Sequence, residues 1–150
     1  MRRFLARIFP PLAGRIAPDR IFYAPRSDGL PQPGEVCWAW VPFEEDATRG
    51  KDRPVLIVGT RGRSWLALML TSKDHDHDAI RQGRGGVATD RFGHRWLDIG
   101  TGTWDHDHRA SEIRLDRVLV LAQVRREGSA LDRPTFDSVV AEAGLSQRRK

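Results

Sequence analysis

The stretch GKDRPVLIVG, residues 50–59, decides the fold of this chain, because a charged segment leads there directly into an unbroken apolar run. Long and β-branched apolar side chains, opened by a proline and closed by a glycine, predict a strand that is buried on both faces. Arg53 stands where this strand begins, at the edge of the predicted core. A rigid strand holds a guanidinium in a fixed direction, so Arg53 is the first candidate functional residue. The alternative is that Arg53 is one of many surface arginines.

Two further strands are predicted beside this stretch. Residues 35–43 place apolar side chains alternately on two faces, and residues 65–71 form a second apolar run after a short connection that contains glycine. Such a connection predicts an antiparallel hairpin. The open end of that hairpin brings the Arg53 guanidinium beside the hydroxyl groups of Thr71 and Ser72.

The remainder of the chain predicts a mainly β fold with a C-terminal helix. The other predicted elements are a polar loop at 44–53, a long loop at 73–94 with a short helix near 78–81, strands at 95–99 and 116–121, and a helix that begins at Asp132 and ends at Gly144. Several short strands without repeating helices between them favour a small antiparallel barrel. We expect one domain at residues 34–150, preceded by a basic, proline-rich arm at residues 1–33.

Charge and cysteine content narrow the classes of function. The 150 residues include 25 Lys and Arg against 20 Asp and Glu, and this net charge of +5 favours a polyanionic partner such as nucleic acid. An ordinary solvated basic surface is the alternative. Cys37 is the single cysteine, so no intramolecular disulfide forms and a cytoplasmic location is expected. No apolar stretch approaches the roughly 18 to 20 residues that cross a bilayer, so we expect no membrane partner.

Several of these segments together resemble the MazF/PemK-like toxins of type II toxin-antitoxin systems. The likeness covers residues 33–122 and rests on Pro-Gly-Glu-Val at 33–36, on Arg53-Pro54 at the start of the central strand, and on Thr71 at the end of the next one. The resemblance implies an SH3-like antiparallel barrel of the MazF/CcdB type that forms a homodimer. It also implies cleavage of single-stranded RNA without a metal or other cofactor, and neutralisation by a cognate antitoxin protein.

The resemblance further implies an active centre at Arg53 and Thr71, with Ser72 in support. In this family the RNA 2′-hydroxyl attacks the adjacent phosphate, and an arginine matches the phosphate oxygens with two donors at once. Family members usually carry Ser-Glu in the loop before the arginine, where this chain has Ala47-Thr48-Arg49. A non-catalytic barrel that binds RNA or a protein is therefore the alternative function. The candidates for the acid or base are Glu45, His75 and His77.

Basic and aromatic side chains near the predicted rim are candidates for RNA binding, since cations neutralise phosphates and aromatic rings stack on unpaired bases. The basic candidates are Arg49, Lys51, Arg61, Arg63 and Lys73. Each of them has the alternative of a solubilising surface charge. Trp104 follows a glycine-rich segment and either stacks on an unpaired base or packs against the barrel.

Two similar clusters, KDHDHD at 73–78 and WDHDH at 104–108, contain residue types that ligate zinc or nickel. Neither pair of histidines has the i, i+4 spacing of a metal site on a helix. Both clusters also fall in predicted loops. We therefore expect solvated loop residues and no metal site.

Overall fold

The computed structural model describes residues 17–72, 80–81 and 86–147, and their fold is mainly antiparallel β with one C-terminal helix. The strands are β1 Asp19–Ile21, β2 Glu35–Pro42, β3 Gly50–Arg61, β4 Ser64–Thr71, β5 Ile80–Arg81, β6 Val87–Thr89, β7 Arg95–Gly100, β8 Ser111–Arg114, β9 Leu119–Leu121 and β10 Arg125–Ala130, followed by helix α1 Arg133–Glu142. No helix among the described residues is long and apolar enough to span a bilayer.

All the strands pair in one sheet, in the order β10-β2-β3-β4-β8-β7-β6-β5. Strand β1 adds to β3, and β9 adds to β4. Strand β4 changes partner along its length, because residues 65–67 pair with β9 whereas Leu70 and Thr71 pair with β8. The sheet is not closed on itself, so the described pairing shows an antiparallel sheet and not a complete barrel.

Strand β3 is buried on both faces, as its unbroken apolar run predicted. Val55, Leu56, Ile57 and Val58 are each fully buried. Leu56 and Val58 contribute to the core that helix α1 covers, and Val55 and Ile57 contribute to a second core on the opposite face. Because successive side chains of a strand point to opposite faces, both cores are anchored on the same short segment.

Helix α1 has the start and end that the sequence predicted. Asp132 is its N-cap and accepts a hydrogen bond from the Thr135 backbone nitrogen at 3.0 Å. Its buried side chains, Phe136, Val139 and Val140, lie in the core beside β3. Gly144 follows the helix with a φ of 71°, the left-handed conformation that suits glycine at a helix end.

Two predictions between the main strands are wrong. Residues 80–81 form strand β5 and no helix, and residues 87–89 form β6 within the predicted long loop. The strand predicted at 116–121 is confirmed only at 119–121, as β9, and β8 at 111–114 is a separate strand that was not predicted. Pairing with neighbouring strands stabilises these short segments, and local composition carries no signal of such pairing.

Part of the predicted N-terminal arm joins the sheet. Strand β1 pairs with the far end of β3, and Tyr23 packs its ring against Phe136 at a centroid distance of 5.0 Å. The Tyr23 hydroxyl donates a hydrogen bond to the Leu131 carbonyl oxygen at 2.7 Å. Residues 1–16 lie outside the described part of the chain.

Substitution of Gly59 tests how closely β1 approaches β3. A Cβ at this position would collide with the Arg20 carbonyl oxygen, so Gly59→Ala should displace β1 and lower the free energy of unfolding by about 1 to 3 kcal/mol. Urea denaturation measures the change. Ser64→Ala in the same hairpin is the control, with an expected change below about 0.5 kcal/mol. Equal stability of the two variants would contradict this packing.

Candidate functional site

Arg53 and Thr71 lie at the open end of the β3–β4 hairpin. The pairing of β3 with β4 begins at Val55, opposite Met69. Arg53 and Thr71 lie two residues beyond these partners, on the same faces of their strands, and Thr71 pairs there with Glu112 of β8. Both residues are half-buried. Together with Ser72 they line a cavity of about 660 Å³. The structure thus brings together the three residues that the sequence predicted for the catalytic centre.

The Arg53 side chain makes no hydrogen bond or ion pair with any residue that the structure describes. Other arginines in this part of the fold are paired: Arg114 with Glu44 and Asp116, and Arg125 with Asp52. A half-buried guanidinium retains its charge and has five N–H donors in a planar fork. Arg53 is therefore available to bind an anion such as phosphate.

A second cavity of about 550 Å³ shares Arg53 with the first one. It combines apolar walls with charged side chains of both signs. The charged and titratable residues that line it are Glu44, Glu45, Arg53, His94, Arg114 and Arg117. Three guanidinium groups against two carboxylates make this cavity attractive to an anion.

An ion-pair network fixes the wall of the second cavity. The Arg114 side chain is only 7% exposed, and it pairs with Glu44 and, at 2.9 Å, with Asp116. Arg117 donates a hydrogen bond to the Pro42 carbonyl oxygen at 2.9 Å. The loop that follows β2 is therefore tied to the end of β8 and to the turn behind it.

These contacts shift the pKa values of the two carboxyl groups. The pKa of Glu44 lies below its usual value, first because Arg114 donates a hydrogen bond to the carboxylate. Burial raises the pKa of Asp116. Hydrogen bonds from Arg114 and from the Arg95 backbone N–H lower it by a larger amount, so the pKa is lowered overall. Both groups are stabilised as carboxylates.

The first cavity ends against the loop after β7. Asp105, His106, Asp107 and Arg109 from this loop line it, as does Lys51 from β3. The Arg109 Nε atom donates a hydrogen bond to the Asp105 carboxylate at 3.0 Å. Burial raises the pKa of Asp105, but the Asp107 backbone N–H and Arg109 lower it, with a net downward shift.

The predicted basic RNA contacts divide between two ends of the hairpin. Lys51 is exposed and lines the cavity that holds Arg53, and Arg49 lies over the Phe43 ring in the preceding loop. Arg61 and Arg63 were wrongly placed near this rim. At about 3.3 Å per residue, Arg61 lies roughly 26 Å along β3 from Arg53, at the closed end of the hairpin. Arg61 there pairs with Asp19 at 2.6 Å.

Trp104 packs in the core, which is one of its two predicted alternatives, and it also borders the first cavity. The residue is 6% exposed, and its indole N–H donates a hydrogen bond to the Ser111 hydroxyl at 2.9 Å. Trp38, which is half-buried, is a second tryptophan on the wall of this cavity. Trp38 pairs with Pro54 of β3. The alternation of side chains between the two faces of β2 is a signal of this position that the sequence already contains.

The acid–base candidates fall in two groups. Glu45 is exposed and lines the second cavity with Arg53. His75, His77 and Lys73 lie outside the described residues. Sequence reasoning missed Arg114, Arg117 and His94, because only the packing of distant loops brings them to Arg53.

Among the residues that the structure describes, no group of three or more His, Cys, Asp and Glu side chains has an arrangement suited to a metal ion. The second Asp-His cluster, at 104–108, falls within this part of the chain. His106 is exposed on the wall of the first cavity, and His108 is exposed with a φ of 50°. The first cluster, at 73–78, lies outside it.

No family model, no curated protein and no solved structure matches this chain.

The pH dependence of stability tests the Arg114 network. The pKa of Asp116 is lower in the folded protein than its ordinary 3.8, so its stabilisation is present above pH 4 and is lost as the pH falls through the folded value. Asp116→Asn should lower the free energy of unfolding at pH 7 by about 1 to 2 kcal/mol. In urea titrations at pH 7, 5 and 3 the gap between wild type and variant should narrow on acidification. A gap that stays constant would contradict the network.

Proposed function

We propose that this protein is a MazF/PemK-like endoribonuclease whose sheet is an SH3-like barrel and whose active centre is formed by Arg53 and Thr71. The observation that carries the proposal is the half-buried Arg53 guanidinium, which has no partner among the described residues and lines one cavity together with Thr71 and Ser72. The Arg53-Pro54 and Thr71 motif supports the assignment to this family. The cavity supports the binding of a ligand beside these residues.

The proposed reaction is cleavage of single-stranded RNA by attack of a 2′-hydroxyl oxygen on the adjacent phosphorus. Arg53 binds the phosphate oxygens and stabilises the additional negative charge of the phosphorane. Thr71 donates a hydrogen bond to the same phosphate, and Ser72 supports it from the end of β4. None of these tasks requires a metal ion, since the arginine supplies the positive charge.

The walls of the first cavity provide further contacts for a single strand. Lys51 is an exposed cation beside Arg53 that suits a neighbouring phosphate, whereas Arg109 on the same wall is paired with Asp105. Trp38 offers an aromatic surface to an unpaired base, a contact worth about 1 to 3 kcal/mol. A base that is paired in a duplex has no free face for such stacking, so the proposed substrate is unpaired RNA.

The family proposal also assigns partners and a location. The protein acts as a homodimer in the cytoplasm, and a cognate antitoxin protein neutralises it. Three large apolar side chains are exposed on the described surface near β2 and β9 and supply contact area for a partner. They are Trp40, Val118 and Val120.

A second function, a non-catalytic barrel that binds RNA or a protein, is favoured by one observation. The Glu44 carboxylate at the second cavity pairs with Arg114, and its low pKa makes it a weak base. The loop that follows β2 is thus stabilised in a form in which Glu44 cannot readily take up a proton. A binding protein needs no such proton acceptor.

Cleavage of a long single-stranded RNA by purified protein in excess EDTA tests the proposed activity. Wild type should cut at a short recurring sequence, and Arg53→Ala and Thr71→Ala should each lower the rate by about 10²-fold to 10³-fold, because each removes a donor to the phosphorane. Sequencing of the cleaved ends measures the sites, and single-turnover assays measure the rate.

Arg63→Ala is the matched arginine control, since Arg63 is exposed at the closed end of the hairpin. It should cleave at the wild-type rate. Tight RNA binding by wild type without any cutting would contradict the endoribonuclease and favour the binding protein. Cutting that returns only when a divalent metal is added would contradict the metal-independent reaction.

A further inference from the structure

The turn between β6 and β7 holds a carboxylate in a fixed position. Asp90 Oδ1 accepts hydrogen bonds from the backbone nitrogens of Phe92 and His94, each at 2.9 Å. Asp90 Oδ2 accepts a hydrogen bond from the Trp96 indole nitrogen at 3.0 Å. The Asp90 side chain is 7% exposed. With three donors around it, this carboxylate has little freedom to move.

The same carboxylate faces the imidazole of His94. Asp90 Oδ2 lies 3.5 Å from His94 Nδ1. The other ring nitrogen, Nε2, has no hydrogen-bond partner among the residues that the structure describes. A carboxylate on one nitrogen and a free second nitrogen is the arrangement that orients a histidine for proton transfer.

His94 belongs to the cavity that Arg53 lines. Its side chain is 29% exposed, so the ring is accessible to a ligand yet supported by the turn. Arg53 belongs to both cavities, and Thr71 lies on the same face as Met69, which lines the second one. Arg53 thus borders both the cavity that His94 lines and the cavity that Thr71 lines.

The charges around His94 come from four parts of the fold. They are Asp90 on its own turn, Glu44 and Glu45 on the loop after β2, Arg53 on β3, and Arg114 and Arg117 at and after β8. Burial raises the pKa of Asp90. Hydrogen bonds from Trp96 and from the backbone N–H groups of His94 and Phe92 lower it by a larger amount, so the pKa is lowered overall. Asp90 is thus stabilised as a carboxylate beside the imidazole.

We propose that His94 is the catalytic base of the RNA cleavage and that Asp90 is its positioning residue, an inference that rests on the proposed function. His94 Nε2 takes the proton from the RNA 2′-hydroxyl as the O2′–P bond forms and the P–O5′ bond breaks. The departing 5′ oxygen takes a proton from water, and the imidazolium returns its proton to water. The products are a 2′,3′-cyclic phosphate and a 5′-hydroxyl, with no net proton change.

The two glutamates beside Arg53 are weaker choices for this role. Glu44 is paired with Arg114 and has a lowered pKa, so its affinity for a proton is reduced. Glu45 is exposed on the loop, with no partner among the described residues to orient it. Histidine side chains in general exchange protons near neutral pH, which suits a base that must be regenerated in each turnover.

Single-turnover cleavage in EDTA across a pH series tests the base. His94→Gln should lower the cleavage rate by about 10²-fold to 10⁴-fold and remove the acidic limb of the pH–rate profile. Its affinity for an oligonucleotide with 2′-deoxyribose at the cleavage site should stay within about threefold of wild type, because phosphate binding by Arg53 is retained. His108→Asn is the matched control, since His108 is exposed and lines neither cavity; it should leave the rate and the profile unchanged.

Two further variants separate chemistry from folding. His94→Gly opens space for free imidazole, which should restore part of the lost rate in proportion to its concentration. Asp90→Asn keeps an acceptor oxygen for the turn but removes the negative charge, so the acidic limb should move to lower pH. A purely structural role for Asp90 would change stability without moving that limb.

The outcomes distinguish this inference from the proposed function. Wild type that binds RNA but never cuts it overturns both. Wild-type cutting that Arg53→Ala abolishes, with His94→Gln retaining the wild-type rate and pH profile, overturns the role of His94 alone. Loss of the acidic limb in Glu45→Gln, with imidazole failing to rescue His94→Gly, would also overturn it and assign the base to Glu45.

Discussion

The structure depends on the burial of β3 on both of its faces. Val55 and Ile57 supply one core while Leu56 and Val58 supply the other, so each residue of this segment excludes water on its own side. At about 25 cal/mol per Å² of buried apolar surface, such side chains are among the largest stabilising contributions in the chain. A strand held from both sides cannot shift its register without exposing one core to water. The backbone of Arg53, two residues before Val55, is therefore held in place, and its side chain starts on the same face of the strand as Val55.

The contrast between Arg114 and Arg53 then defines the site. Both arginines line the second cavity, but the buried Arg114 side chain forms ion pairs with Glu44 and Asp116. A paired guanidinium stabilises the wall, and replacing its partners by a ligand would leave their charges uncompensated. Arg53 has no such partner among the described residues, so a bound anion would leave no carboxylate uncompensated. Arg114 therefore stabilises the cavity wall, whereas the Arg53 guanidinium is available to an anion.

Much of the fold was predictable because its signals are local. The buried β3 follows from its unbroken apolar run, and the limits of α1 follow from Asp132 and Gly144. The meeting of Arg53 and Thr71 also follows from sequence, since a short connection sets the register of a hairpin. The short strands β5 and β6 were missed, because two or three residues carry no periodicity and are stabilised only by their neighbours.

The sequence by itself determined the central hairpin, the C-terminal helix and the placing of Arg53, Thr71 and Ser72 at one rim. Only the tertiary structure decided which charged side chains surround them. Arg114 meets Glu44, and His94 reaches the cavity of Arg53, through contacts between loops that are far apart along the chain. The same packing buried Trp104 at the edge of the first cavity and left Trp38 half-buried there. Such meetings depend on how the whole sheet curves and pairs, for which no local pattern of residues carries a signal.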